Sequence, residues 1–441
     1  MCLTVEVIKC DIVKEVQSKF DVGNFKHTDK KPRKPVEDNT SEKELMEPFS
    51  IRKDSESYLK DVYVDENGVY CYIVPHCSKC NSRHVTKHDY NEKEVTFADG
   101  KKRKIKVKRY KCKNCGKGSQ VEFGDELKPY ERISRKIVEM VRDINALRWI
   151  SLGDVSRIFK ITKGANLSRE FIRKAQIITE KLSWRNSNIT SSDYIAYDCQ
   201  WVPVDDGWKY LHVLTDINKN QIIALKLTDD ENKLTSKKFL KDNLRIGSAK
   251  AMVSDLKPGY REIANELGIK LQYCTRHFDR LLSRKIQKDL KKIKDKFIGK
   301  IYQENPNISD FELKELVDEE LEDYVTEFYE YKHEIMNLFD IEEYDDAVKY
   351  IYELKSRSNE YPETLRKYMH DEFFPHYSNF ILYKHKDFEG KIPMTNNISE
   401  QKIRYCATKY EKNKFRTPLG FFNHVVARVN NQIKIKKSSL T

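Results

Sequence analysis

The sequence predicts a multidomain α+β protein: a cysteine-framed β module, a helical region, and an α/β core interrupted by an α-helical insertion. Three observations predict it. Two Cys-x-x-Cys pairs, Cys77/Cys80 and Cys112/Cys115, frame strand-like segments. Three apolar runs, Tyr194–Val204, Trp208–Asp216 and Gln221–Leu227, are separated by hairpin-like turns and lead into alternating helices and strands. A long stretch of helical spacing, residues 279–390, then precedes an apolar and basic C-terminal segment.

The 441-residue chain is 39% hydrophobic and 34% charged, ample for a sizeable core beneath a large solvated surface. No apolar run approaches the ~20 residues that span a bilayer, so no membrane partner is expected. The segment Met1-Cys2-Leu3-Thr4-Val5-Glu6 lacks the basic-then-apolar layout of a secretory signal, and a cytoplasmic location is expected. Cysteines there serve as thiols or metal ligands rather than disulfides. The formal charge of +13 is uneven. Residues 77–118 carry 14 Lys/Arg against 4 Asp/Glu, whereas residues 310–346 carry 2 against 16. A basic chain with one acidic island suits a polyanion partner, the island facing away from it.

Residues 1–60 alternate apolar and polar positions at first, then pass into a linker rich in Lys, Glu, Asp, Ser and Pro. Residues 61–125 contain the cysteine frame. Asn67-Gly68 between strand-like runs signals a hairpin, and Ala98-Asp99-Gly100 joins two further strands. Four thiolates on two knuckles complete a tetrahedral site, so Cys77, Cys80, Cys112 and Cys115 are read as a zinc ribbon holding one Zn²⁺. The hairpin bearing Lys101, Lys102, Arg103, Lys104, Lys106, Lys108 and Arg109 presents a phosphate-binding face. In residues 126–190, Ile133, Ile137, Met140, Val141 and Ile144 recur at helical spacing. Two short helices then flank the turn Thr162–Asn166. The second, N-capped by Ser168, exposes Arg169, Arg173 and Lys174, which suggests a DNA-reading helix-turn-helix. An ordinary helical hairpin satisfies the same pattern.

Residues 191–278 form the first part of the core. Three antiparallel strands followed by helix, strand, helix and strand is the element order of an RNase H-like fold. Asp198 falls inside the first strand, where a charge among apolar neighbours is costly unless paired. Asp255 ends the fourth strand. After the helical insertion, residues 391–441 return with Asn396-Asn397-x-x-Glu400, where Asn396 or Asn397 caps a helix and Glu400 lies on its first turn. A basic tract follows, Lys402, Arg404, Lys409, Lys412, Lys414 and Arg416, and then an amphipathic helix near Phe421–Ile433. Taken singly, Asp255 and Glu400 read as ordinary turn and helix-dipole residues. Together with Asp198 they suit a pair of Mg²⁺ (or Mn²⁺) ions ~4 Å apart, the arrangement that activates an oxygen nucleophile and stabilises a leaving oxygen in phosphoryl transfer.

Tyr197-Asp198, Val253-Ser254-Asp255, Cys274-x-x-His277 after the next strand, the helical insertion and Asn396-Asn397-x-x-Glu400 together resemble the DDE transposases of prokaryotic insertion sequences, particularly the Mutator-like group. The resemblance covers residues 190–435 in element order. It implies that Asp198, Asp255 and Glu400 are the catalytic triad, with Cys274 and His277 as active-site support. Those two alone fall short of a zinc site. It also implies double-stranded DNA as partner, both the terminal inverted repeats of an element and its target, together with a homodimer and a nucleoid-associated location. Two rivals share parts of the pattern: a non-catalytic, domesticated DNA-binding protein, and a metal-dependent nuclease or resolvase on the same fold.

Overall fold

The apolar runs of the sequence become one six-stranded sheet, and the cysteine frame becomes part of a second, five-stranded one. The computed structural model describes residues 62–77, 79–123, 127, 131–189, 192–244 and 247–438. The readings made for residues 1–60 lie outside these. The described chain divides into two compact units: residues up to Ile144 with Ile150–Gln176, and Asn145–Trp149 with the chain from Ile177 onward.

In the first unit, β1 (Val62–Val64) and β2 (Val69–Tyr72) form the hairpin expected at Asn67-Gly68. Gly68 takes a positive φ of 73°, the left-handed conformation that favours glycine. β2 runs beside β4 (Lys102–Cys112), which pairs in antiparallel register with β3 (Val85–Thr96) and with β5 (Gly118–Gln120). Strand alternation sends Ile105 and Val107 of β4 into a core with Val62, Tyr72 and Val95. Lys102, Lys104, Lys106 and Lys108 therefore share the opposite face. α1 (Arg135–Leu147), α2 (Leu152–Lys163) and α3 (Arg169–Gln176) pack around Val141, Val155, Phe159 and Ile172. Ser151 caps α2 by accepting from Asp154 N–H, and Ser168 Oγ accepts from Phe171 N–H at 3.1 Å. Gly164 ends α2 in the left-handed conformation. A Cβ on Gly100, in the β3–β4 turn, would lie 2.1 Å from the Lys163 carbonyl oxygen, so only glycine lets that turn approach α2.

In the second unit, β7 (Tyr194–Val204), β8 (Gly207–Asp216) and β9 (Gln221–Thr228) form an antiparallel meander. α4 (Lys233–Asn243) leads to β10 (Ala251–Ser254), and α5 (Tyr260–Glu266) leads to β11 (Lys270–Tyr273). β10 and β11 join the other edge of β7 in parallel, and a short β6 (Ser183–Arg185), not foreseen from the sequence, pairs with β9. Val253 lies opposite Ala196, so two residues further on Asp255 comes level with Asp198.

The two faces of this sheet are covered differently. Val202, Leu211, Val213 and Leu225 pack against α10 (Asn397–Cys406) and α12 (Pro418–Ser438) through Ile403, Phe421, Phe422 and Val425; α11 (Lys409–Lys412) connects the two. Ile195, Tyr197 and Leu214 point the other way, toward Phe239 of α4 and Ile263 of α5. That second core continues into the helical segment: α6 (Thr275–Glu304), α7 (Asp310–Met336), α8 (Tyr344–Arg357) and α9 (Glu363–Tyr368). Phe278 of α6 is buried against the rings of Phe373 and Phe380, at centroid distances of 5.1 and 4.9 Å. Buried Asp289 caps α9 by accepting from Thr364 N–H at 2.7 Å. The segment thus has no separate apolar centre; it shares one with the sheet. Among the described residues, no helix is long and apolar enough to cross a membrane.

Phe278→Ala is expected to cost about 3–5 kcal/mol, because it empties the joint between sheet and helices. Denaturant unfolding followed by circular dichroism measures this.

Candidate active site

Asp198 lies midway along β7, on the face that α10 covers, and is 9% exposed. Its carboxylate accepts from the Cys199 backbone N–H at 2.7 Å. Asp255, just past β10, and Glu400, on the first turn of α10, are half-buried. Burial first, and then the charge of Asp255, hold the Asp198 carboxyl well above the usual carboxylate range, with Glu400 adding and the Cys199 N–H opposing. Burial also raises Asp255, against the pull of His277 and the Asn396 amide, and Glu400 again adds. The charge of Glu400 therefore reaches both aspartates, and the structure gathers the three acids read from the sequence.

Cys274 and His277 are placed beside them. Cys274 is fully buried at the start of α6, and the His277 ring is 3.0 Å from an Asp255 carboxylate oxygen through Nδ1 and 3.9 Å from Glu400 through Nε2. Arg276 and Arg404 each bring a guanidinium nitrogen to 3.9 Å from Glu400. Neither arginine was read as part of this cluster, although Arg276 stands inside the Cys-x-x-His motif.

Asn396 departs from its expected role. It occupies the N-cap position of α10, yet its side chain makes no capping bond. Instead the fully buried amide donates to the Tyr197 carbonyl at 3.2 Å and to Asp255 at 3.4 Å, while its backbone N–H donates to Cys274 Sγ at 3.2 Å. The backbone N–H of Thr275 donates to the Met394 carbonyl at 3.1 Å and closes the same seam. A cap reading was natural for Asn before a helix, because nothing local marks a bond to residues this distant.

Below the cluster, on the opposite face of the sheet, His212 is buried between the Tyr197 hydroxyl at 2.7 Å and the Thr228 hydroxyl at 2.8 Å. Burial lowers its pKa to about 4, so it serves as a neutral packing group. A fourth carboxylate missed in the sequence, Glu231, also acts on both aspartates. It is paired with Lys257 and accepts from the Tyr260 hydroxyl, each at 2.5 Å.

The four ribbon cysteines converge. Sγ separations are 3.6 Å for Cys77–Cys115, 3.7 Å for Cys80–Cys112 and 3.6 Å for Cys80–Cys115. A tetrahedron with ~2.3 Å metal–sulfur bonds has edges of ~3.8 Å, so this cluster fits a metal ion. The backbone N–H groups of Cys80 and Lys79 lower the Cys77 thiol to about 6, toward the thiolate that a metal needs.

The basic residues read from the sequence fall in three stretches of the chain. Lys101, Lys102, Lys104 and Arg109 are exposed around the β3–β4 hairpin, and Arg103, Lys106 and Lys108 are half-buried there. Arg103, Lys106 and Arg109 meet Asp99, Glu92 and Asp89 in surface pairs, which are weak enough to exchange for phosphate. Arg169, Arg173 and Lys174 are exposed on α3. Arg404, Lys409, Lys414 and Arg416 are exposed in the C-terminal tract. Lys402 corrects the sequence reading: it is 6% exposed, on the face of α10 that Ser399, Ile403 and Cys406 turn inward. Lys412 is likewise buried, its ammonium 4.0 Å from the Trp201 ring centre. Helical phase, invisible in a run of basic letters, removes both from the surface set.

No family model matches the chain. By sequence the chain is similar to an insertion-element protein. That relative, described as the uncharacterized 48.3 kDa protein of insertion element ISM1 of Methanobrevibacter smithii, is 22% identical over 379 residues, which span 85% of this chain and 88% of the relative. The similarity agrees with the resemblance to insertion-sequence proteins drawn from the motifs. Among solved structures, the chain is similar to one titled Drosophila P element transposase strand transfer complex (TM-score 0.39, 13% identity), over 72% of this chain and 93% of that one. A simian T-cell lymphotropic virus intasome in complex with PP2A regulatory subunit B56 gamma gives a TM-score of 0.17 at 12% identity, over 40% of this chain and 66% of that one.

Two outcomes are expected. Asn396→Ala leaves the Tyr197 carbonyl unpaired in the core and costs about 1–3 kcal/mol in urea unfolding. The second concerns pH. The folded state holds the Asp198 proton more tightly than the unfolded state does, so stability falls as pH rises from the ordinary aspartate range, ~4, through the raised value. Asp198→Asn removes that loss. Without added divalent ions it is expected to melt above the parent at pH 7, and the gap is expected to close near pH 4.

Proposed function

We propose that this protein is a DNA transposase that cuts and joins phosphodiester bonds at the ends of an insertion element, by DDE chemistry on an RNase H-like core. The observation that carries the reading is the convergence of Asp198, Asp255 and Glu400 from three separate stretches of chain onto the part of the sheet where β7 and β10 run side by side. The meander β7–β8–β9 followed by parallel β10 and β11 supports the fold reading, since it sets two aspartates side by side on neighbouring strands. The likeness to an insertion-element protein over most of both chains supports the biological one. Assignment to the Mutator-like group rests on the Cys-x-x-His and Asn-Asn-x-x-Glu motifs.

The donor set suits hard divalent cations such as Mg²⁺ or Mn²⁺: three carboxylates, two of them raised by burial and mutual repulsion. Asp198, Asp255 and Glu400 would hold such ions, which supply Lewis acidity and an activated oxygen nucleophile. Asn396 orients Asp255 and ties α10 to β7. His277 stands beside Asp255, its Nδ1 3.0 Å from the carboxylate. Arg276 and Arg404, flanking Glu400, are placed to receive a phosphate charge. Cys77, Cys80, Cys112 and Cys115 would hold zinc and so fix the ribbon hairpin. That hairpin and α3 would bind the terminal repeats: phosphate contacts give affinity and helix side chains read base edges. Target DNA is the second nucleic-acid partner, and a homodimer would present two ends together. A cytoplasmic, nucleoid-associated location follows from that substrate.

The test is direct. Purified protein, Mg²⁺ or Mn²⁺ and DNA carrying the ends of the element are incubated and the products sized. Cleavage is expected, falling by at least about a hundredfold in Asp198→Asn, Asp255→Asn and Glu400→Gln. An inert parent protein overturns the function, and variants that cut as well as the parent overturn the site.

A further inference from the structure

Among the described residues, two groups of side chains bring metal-ligating atoms close together: the four cysteines of the ribbon, and Asp255, Cys274 and His277. The ligand atoms of the second group all lie within 4.8 Å of one another. Cys-x-x-His at the head of α6 produces half of this, because positions three apart share one face of a helical turn. β10 supplies the rest by ending at Asp255, beside that turn. A carboxylate oxygen, a thiol and an imidazole are the ligand types of a zinc site, not of a magnesium site.

Two further features point to a ligand. The His277 Nδ1 atom is buried and 3.0 Å from Asp255, yet it is not aligned to hydrogen-bond with it. Two ligating atoms that face each other without a bond between them are free to turn toward a shared cation. The Asn396 Oδ1 atom, in a side chain with no exposure, also lacks a partner at the same place.

We propose that Asp255, Cys274 and His277 form a second transition-metal site that takes zinc. Tetrahedral zinc sets its ligand atoms ~3.3–3.8 Å apart, so movements of about 1 Å or less by the two outer side chains suffice on binding. Both have the freedom to do so: the Asp255 and His277 side chains are 30% and 21% exposed, whereas Cys274 is fixed in the core. Binding releases the Cys274 thiol proton to solvent. Three protein ligands leave a fourth coordination position for water. Asp255 belongs to this set and to the carboxylate pocket, so the two sites compete for it. The geometry stands whether or not the chain cuts DNA, and the test reads metal content rather than cleavage.

Full-length protein is equilibrated with buffered zinc, freed of loose metal by gel filtration, and its zinc content measured by elemental mass spectrometry. Two zinc ions per chain are expected in the parent, and one in Cys274→Ser, in His277→Gln and in Cys112→Ser. Ser at 274 keeps an acceptor for the Asn396 N–H. If that buried variant nevertheless fails to fold by circular dichroism, the rim variant His277→Gln decides alone. A single zinc in the parent overturns the proposal. So does a second zinc that survives in His277→Gln but disappears in Asp198→Asn, which would place it on the carboxylates.

Discussion

Asn396 makes the interaction on which the core depends. Its carboxamide joins β7 and the end of β10, and its backbone N–H joins the start of α6, to a helix that begins more than a hundred residues later in the chain. Burying a polar amide is unfavourable unless its partners are in place, so the arrangement is nearly all or nothing. The partners themselves are a backbone carbonyl, a carboxylate and a thiol, and the tie cannot form unless the sheet register is correct. The entropic cost of spanning the helical segment is modest by comparison. Loop closure grows only with the logarithm of length, about 0.6 kcal/mol per doubling, and the segment is folded rather than loose. A single buried seam, made by Asn396 with the Thr275–Met394 backbone bond, thus suffices to deliver Glu400 to the aspartates.

The electrostatics of the site run against stability. Two aspartates are held where burial and mutual charge oppose their ionisation, and Glu400 adds to the strain on both. The surrounding structure neutralises what it can. Glu231 is paired with Lys257 and Tyr260, and Arg276 and Arg404 stand near Glu400. Asp198 receives a backbone N–H and no cationic partner in the contacts described above.

Much of this was legible in the sequence, and the reasons are physical. The strands of the second unit stand out as apolar runs broken by Asp/Gly and Asn turns, and their bounds agree with the structure to within a residue or two for β7, β8 and β9. The four cysteines announce their convergence through spacing alone. What was hidden depends on long-range geometry. β6 is three residues long and exists only because β9 offers an edge. The inward turn of Lys402 depends on which face of α10 meets the sheet. The continuity of the helical segment with the sheet core, through Phe278, Phe339 and Phe380, has no local signature, because an independent helical domain carries the same periodicity. The approach of Asp255 to Cys274 and His277 likewise needs β10 and β11 to be neighbours, which composition does not reveal.

The shared core also decides where this fold can change length. On α6 the last buried residue is Asp289, and on α7 the first is Val317. From Asp289 to Glu304 the helix runs roughly 20 Å at 1.5 Å per residue with no side chain fully committed to the interior. The turn at Asn305–Ser309 joins two such outlying stretches. Residues can be added or trimmed there without disturbing the sheet, whereas removal of the whole segment would take the Phe380 ring from Tyr273 and uncover that end of the sheet. The base of the segment is as much a part of the core as the strands it covers.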